Sequence, residues 1–99
     1  MYKAFIITYA KGGLTDGFNY KKFHDTLTKA NGILNWWHYL DSSYIIIVQD
    51  GITATNVSDY VRSIAPNKRF FTCQLNLNDH NGWLPQEAWD WINKYRDLT

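Results

Sequence analysis

The side chains of this chain best equipped for chemistry are rings and cations rather than paired acids or nucleophiles. Trp36-Trp37-His38-Tyr39 puts four flat rings in succession, and Phe70, Trp83, Trp89 and Trp91 add to them. Arg62, Lys68 and Arg69 lie close together in the sequence, with Lys11 and Lys3 nearer its start. Flat rings beside cations suit nucleobase recognition: stacking is worth roughly 1–3 kcal/mol per base, and the cations meet phosphate. We therefore expect Trp36, His38 and Tyr39 to contact bases, although His38, between two large aromatics, reads equally well as a packed residue with its bonds satisfied. Arg62, Lys68 and Arg69 would counter phosphate charge, and Trp83 would close the pocket from its loop or from a neighbouring subunit. Lys11, next to Gly12-Gly13, would offer a further charge at a turn whose amides can face a phosphate. That run lacks the full spacing of a phosphate loop and also reads as a plain flexible turn.

Other chemistries find little support. His24 and Asp25, His38 and Asp41, and Asp79 and His80 have no recognised metal-ligand spacing, so neither a metal nor a cofactor is expected. His24 falls beside the apolar stripe of its helix and reads as a boundary residue. Cys73 alternates onto an apolar strand face, where a thiol is usually inert. No Gly-x-Ser-x-Gly elbow occurs, and carboxylates are few and scattered. These absences point to a binder that is not an enzyme.

The elements that must position these residues follow from periodicity. The run Tyr2-Lys3-Ala4-Phe5-Ile6-Ile7-Thr8-Tyr9 is a strand by composition. Helical spacing follows at Tyr20, Phe23, Leu27 and Ala30, with Asn19 or Asp16 as N-cap and Asn31-Gly32 as the stop. The stretch 35–49 reads as a hairpin turning at Asp41-Ser42-Ser43. Its second strand, 44–48, is apolar throughout and should be central, covered on both faces. In its first strand, period-2 alternation puts Trp36, His38 and Leu40 on one face and Trp37 and Tyr39 on the other.

Val57, Tyr60, Val61 and Ile64 then mark an amphipathic helix, capped by Thr53 or Thr55 and stopped by Pro66. Residues 68–77 form a strand with Phe71, Cys73, Leu75 and Leu77 on one side. After a polar loop, Pro85 suits the first position of a last helix that carries Ala88, Trp89, Ile92 and Tyr95 on one side. Trp89 is expected in the core, whereas Trp83 and Trp91 point elsewhere. The order β-α-β-β-α-β plus a C-terminal helix predicts an α+β, ferredoxin-like split βαβ fold with an antiparallel sheet.

Composition bounds the reading. Ninety-nine residues, 45% of them hydrophobic and 19% charged, make one globular domain spanning 1–99. Aromatics reach 17%, with five Trp and seven Tyr, more ring surface than one small core absorbs. The surplus also suits the seam of a homo-oligomer, a dimer or tetramer, and ligand pockets often form at such seams. A net charge of +1 argues against duplex nucleic acid as partner. One cysteine, no signal peptide and no apolar run near the roughly 18 residues of a membrane span place the chain in the cytoplasm, without a membrane.

The strand order with Trp-Trp-His-Tyr-Leu in the second strand resembles small ferredoxin-like proteins of the SinR-like group, relatives of the CRISPR adaptation nucleases, over about residues 2 to 77. That resemblance implies a metal-binding Asp at the end of the first strand. Here Thr8-Tyr9-Ala10 stands there instead, and phosphodiester cleavage by that route needs the carboxylate to hold its metal. In size, tryptophan content and lack of catalytic groups the chain is also similar to phage anti-defence sponges. That analogy implies capture of a cyclic oligonucleotide immune signal in the host cytoplasm without chemistry. Three readings stand: a nucleotide-sequestering homo-oligomer, a protein-interaction module, and a SinR-like metal-dependent nuclease relative.

Overall fold

The computed structural model describes residues 2–11 and 18–96. Gly12, Gly13 and Asp16, weighed above as a phosphate-facing turn and an N-cap, lie outside the described residues. The described chain runs β1 (Tyr2–Tyr9), α1 (Tyr20–Thr28), β2 (Ile33–Leu40), β3 (Ser43–Gln49), α2 (Ala54–Ile64), β4 (Phe70–Leu75) and α3 (Gln86–Tyr95). The strands form one antiparallel sheet in the order β2-β3-β1-β4, so β2 and β4 are its edges.

Alternation along the strands builds two cores, one on each face. Phe5, Ile7 and Tyr9 of β1 and Tyr44, Ile46 and Val48 of β3 point to one side. There they meet Phe23 and Leu27 of α1 and Val57 and Val61 of α2. Ala4, Ile45 and Ile47 point to the other side, against Ala88 and Ile92 of α3, with Trp37 and Leu77 completing the cluster. Strand β3 is apolar at every position from Tyr44 to Val48 because both of its faces are covered. None of the described helices is long and apolar enough to cross a membrane.

Local signals fix where the helices start and stop. Asn19 caps α1, its side chain accepting from the Lys22 amide at 3.1 Å. Gly32, with φ +91°, turns the chain toward β2 in a backbone shape that favours glycine. Thr53 caps α2 in a reciprocal box with Asn56: its hydroxyl accepts from the Asn56 amide, and its own amide donates to Asn56 Oδ1 at 2.9 Å. Thr53→Ala is expected to cost about 1 kcal/mol in urea unfolding, whereas Thr55→Ala, outside the box, should stay within about 0.5 kcal/mol. Equal losses for the two would show that Thr53 is not the effective cap.

Two details at the C-terminal helix depart from the sequence reading. Pro85 is the N-cap of α3 rather than its first helical residue, because its backbone (φ −60°, ψ 153°) is extended. Trp91, expected to point away, packs with Trp89 against the second core, and its indole N–H is sealed without a partner. Trp83 is 99% exposed.

Candidate functional site

Arg62, Lys68 and Arg69 come together in one open depression of about 760 Å³ between α2 and the free edge of β4. The loop that carries two of them is short and tied down at both ends. Ala65 donates to the Val61 carbonyl at 2.8 Å to end α2, and Lys68 donates back to the Ala65 carbonyl at 3.1 Å. The Arg69 carbonyl accepts from the Ala10 amide at 3.0 Å, which ties the loop to the end of β1. Arg62 reaches the same space from the last turn of α2.

Hydroxyl and ring groups complete the walls. Thr55 and Ser58 line the depression from α2, and Phe70, Phe71 and Thr72 line it from β4. Among the described residues its lining contains no carboxylate, imidazole or thiol, an arrangement that can hold an anion. The described ion pairs, Lys3–Asp50 and Lys11–Asp41, engage neither arginine. Three cations share this space, and the described residues that line it are otherwise hydroxyl, ring and apolar groups.

The remaining sequence candidates stand elsewhere. Trp36 and His38 sit at the opposite edge of the sheet, about 14 Å away by strand spacing, on the side of α1. Tyr39 is on the other sheet face, its ring 5.4 Å from that of Trp37. Trp83 lines a shallow 440 Å³ depression with Leu84 and Pro85. Lys11 is paired with Asp41 at 2.9 Å, and this ammonium holds the exposed Asp41 carboxyl below its usual range. Within one protomer the expected stacking rings and the expected cations therefore do not meet. The rings beside the cations are Phe70 and Phe71 in this depression, and Phe18 under the Lys68 ammonium.

His38 and its surroundings form a closed network. Its Nδ1 donates to the Ser43 carbonyl at 2.9 Å, since a carbonyl can only accept. In the neutral ring Nε2 then accepts from the Tyr20 hydroxyl at 2.6 Å, a tautomer inferred from these partners. The ring lies flat on Tyr44, 3.9 Å between centroids and 2° from parallel. Tyr44 is also bonded to Nδ1 of His24 at 2.7 Å, and the edge of Trp36 closes on His24 at 4.9 Å. Both nitrogens of His38 are thus used within the chain, and His24, expected to be a boundary residue, belongs to the same network.

Sequence reasoning found the three cations because they are near neighbours in the chain. It missed Thr55 and Ser58, whose signal was their place one helical turn apart on the face of α2 that also carries Arg62. Among the described residues no group of three or more His, Cys, Asp or Glu is placed to hold a metal ion. Comparison with protein-family models, with curated proteins and with solved structures finds no match for this chain.

Proposed function

We propose that this chain binds a small nucleotide without altering it, in the depression between α2 and β4. The observation that carries this reading is the convergence of Arg62, Lys68 and Arg69 on one space together with hydroxyl groups and rings. Phosphate oxygens accept strong, charge-assisted bonds from such a set, with guanidinium groups able to bond in pairs. Thr55 and Ser58 supply hydroxyls for phosphate or ribose, and Phe70 and Phe71 supply rings for a base. Its volume is in the range of small-molecule sites, about 300–1,000 Å³. Holding such a ligand demands affinity and slow release rather than transition-state stabilisation, which suits a lining without acid or base.

In its narrower form the proposal is a sponge for a cyclic oligonucleotide signal, acting in the cytoplasm as a dimer or tetramer. The exposed rings of Tyr39, Phe71 and Trp83 support self-association. The sheet order β2-β3-β1-β4 supports the ferredoxin-like assignment.

Titration calorimetry with adenine and guanine mononucleotides and cyclic dinucleotides tests the site. Binding at micromolar protein is expected, and the double change Arg62→Ala with Arg69→Ala should weaken it at least tenfold, as lost charged hydrogen bonds of about 1.5–3 kcal/mol each imply. No heat from any nucleotide, or affinity unchanged in the double variant, overturns the reading. A second reading, a module whose exposed rings grip another protein chain, is favoured by Trp83 at 99% exposure. The nuclease reading rests on the sequence resemblance, and the described residues offer no acid cluster to support it.

A further inference from the structure

We propose that the ligand is a dinucleotide unit, two nucleosides joined by a phosphodiester, laid across two adjoining compartments with Lys68 on the ridge between them. This rests on the nucleotide reading above and extends it. A second depression, of about 330 Å³, opens beside the first between the start of α1 and the end of α2. Phe18, Asn19, Lys22 and Phe23 form its α1 wall. Pro66 and Lys68 line both depressions, so the two are neighbours across one short loop. Among the described residues no carboxylate lines either one.

The second compartment repeats the chemistry of the first. Lys22 and Lys68 supply cations, Asn19 and Asn67 supply amides, and Phe18 supplies a ring with the Lys68 ammonium 4.6 Å above its centre. A plainer account of the cations is that Arg62 and Lys68 offset the negative end of the α2 dipole. Lys22 does not fit that account. It lies in the first turn of α1, where the dipole disfavours a cation, and no acidic residue occupies that turn to balance it. An anion shared by Lys22 and Lys68 would remove that unfavourable interaction. A single nucleotide needs only one compartment. The joint use of Lys68 is what suits a phosphate bridging two.

The test compares adenosine and guanosine monophosphates, linear dinucleotides of the same bases, their cyclic counterparts, and a single-stranded oligoadenylate, all by titration calorimetry on the full chain. Dinucleotides should bind at least tenfold more tightly than monophosphates. Lys22→Glu should weaken dinucleotide binding about tenfold and leave monophosphate binding unchanged, whereas Arg62→Ala should weaken both. Glutamate in that first turn favours the helix, so loss of fold does not confound the variant, and Lys22→Gln reads the charge loss alone. Tightest binding by the strand would assign the unit to single-stranded nucleic acid, and tightest binding by a free dinucleotide would assign it to a small ligand; either supports the proposal. Equal affinity for one and two nucleotides, with Lys22→Glu silent, overturns the two-compartment site and leaves the nucleotide reading intact. Absence of binding by every probe overturns that underlying reading instead.

Discussion

Trp37→Ala is expected to remove about 3–5 kcal/mol of folding free energy, the usual range for truncating a sealed tryptophan. The indole is 3% exposed, packed with Ile45 and Ile47 of β3 and with Ala88 and Ile92 of α3. Its N–H donates to the Ala88 carbonyl at 3.3 Å, so the ring is also a polar link between an edge strand and the helix that covers it. A domain of this size has about 5–15 kcal/mol in total. One substitution would therefore consume a large share and loosen α3 from the sheet first. Urea unfolding followed by far-ultraviolet circular dichroism measures the loss. Trp83→Ala is the control: its side chain touches almost nothing, and its cost should stay within about 0.5 kcal/mol. A Trp37→Ala protein within 1 kcal/mol of the parent would mean that α3 is held by something else.

That contrast between two tryptophans marks where sequence reasoning stops. The run from Tyr44 to Val48 was legible as a central strand because it has no polar face to show to water. Each cap was legible to within two candidates, Asn19 or Asp16 and Thr53 or Thr55, because a short polar side chain preceding a periodic apolar stripe has few other uses. Trp91 and Trp83 both lie off the stripe of α3, yet one is packed and the other bare. The difference depends on how the helix sits across the sheet, which periodicity does not encode.

The candidate site divides in the same way. Arg62, Lys68 and Arg69 converge because the last turn of α2 leads straight into the short loop that carries the other two, and eight positions of chain are enough to suggest it. Lys22 shares a neighbouring depression with Lys68 only because α1 begins where α2 ends. Trp36 and His38 do share a face, as alternation required. Their distance from the cations is set by strand order, which puts β2 and β4 at opposite edges. The stacking of His38 on Tyr44 follows an irregularity in the β2–β3 register after Trp37, and no residue in the hairpin announces it.

Raising the pH past 10 is expected to destabilise the protein through its buried phenols. Tyr44 is fully buried and Tyr9 nearly so, their rings 6.4 Å apart between β1 and β3. Burial pushes the Tyr9 phenol up from 10.0 to about 12, with smaller contributions from nearby Tyr20 and Asp41. Burial raises Tyr44 further still, and the nearby Tyr20 phenol adds to the shift. Both groups hold their protons more tightly folded than unfolded. The stability they contribute is therefore whole below pH 10, where the unfolded phenol titrates, and is lost as pH climbs through 12. The urea midpoint should stay level from pH 7 to 9.5 and fall by roughly half by pH 12. Tyrosinate absorbance should rise in two stages, exposed rings first and these two only as the fold is lost. Lysines also discharge in this range, but Lys11–Asp41 is an exposed pair and such pairs contribute little. Tyr9→Phe combined with Tyr44→Phe separates the causes. It should cost about 1 kcal/mol at neutral pH for each lost hydrogen bond, to the Asp41 carbonyl and to His24, and flatten the alkaline fall. An alkaline fall equally steep in the double variant would move its origin from the phenols to the lysines.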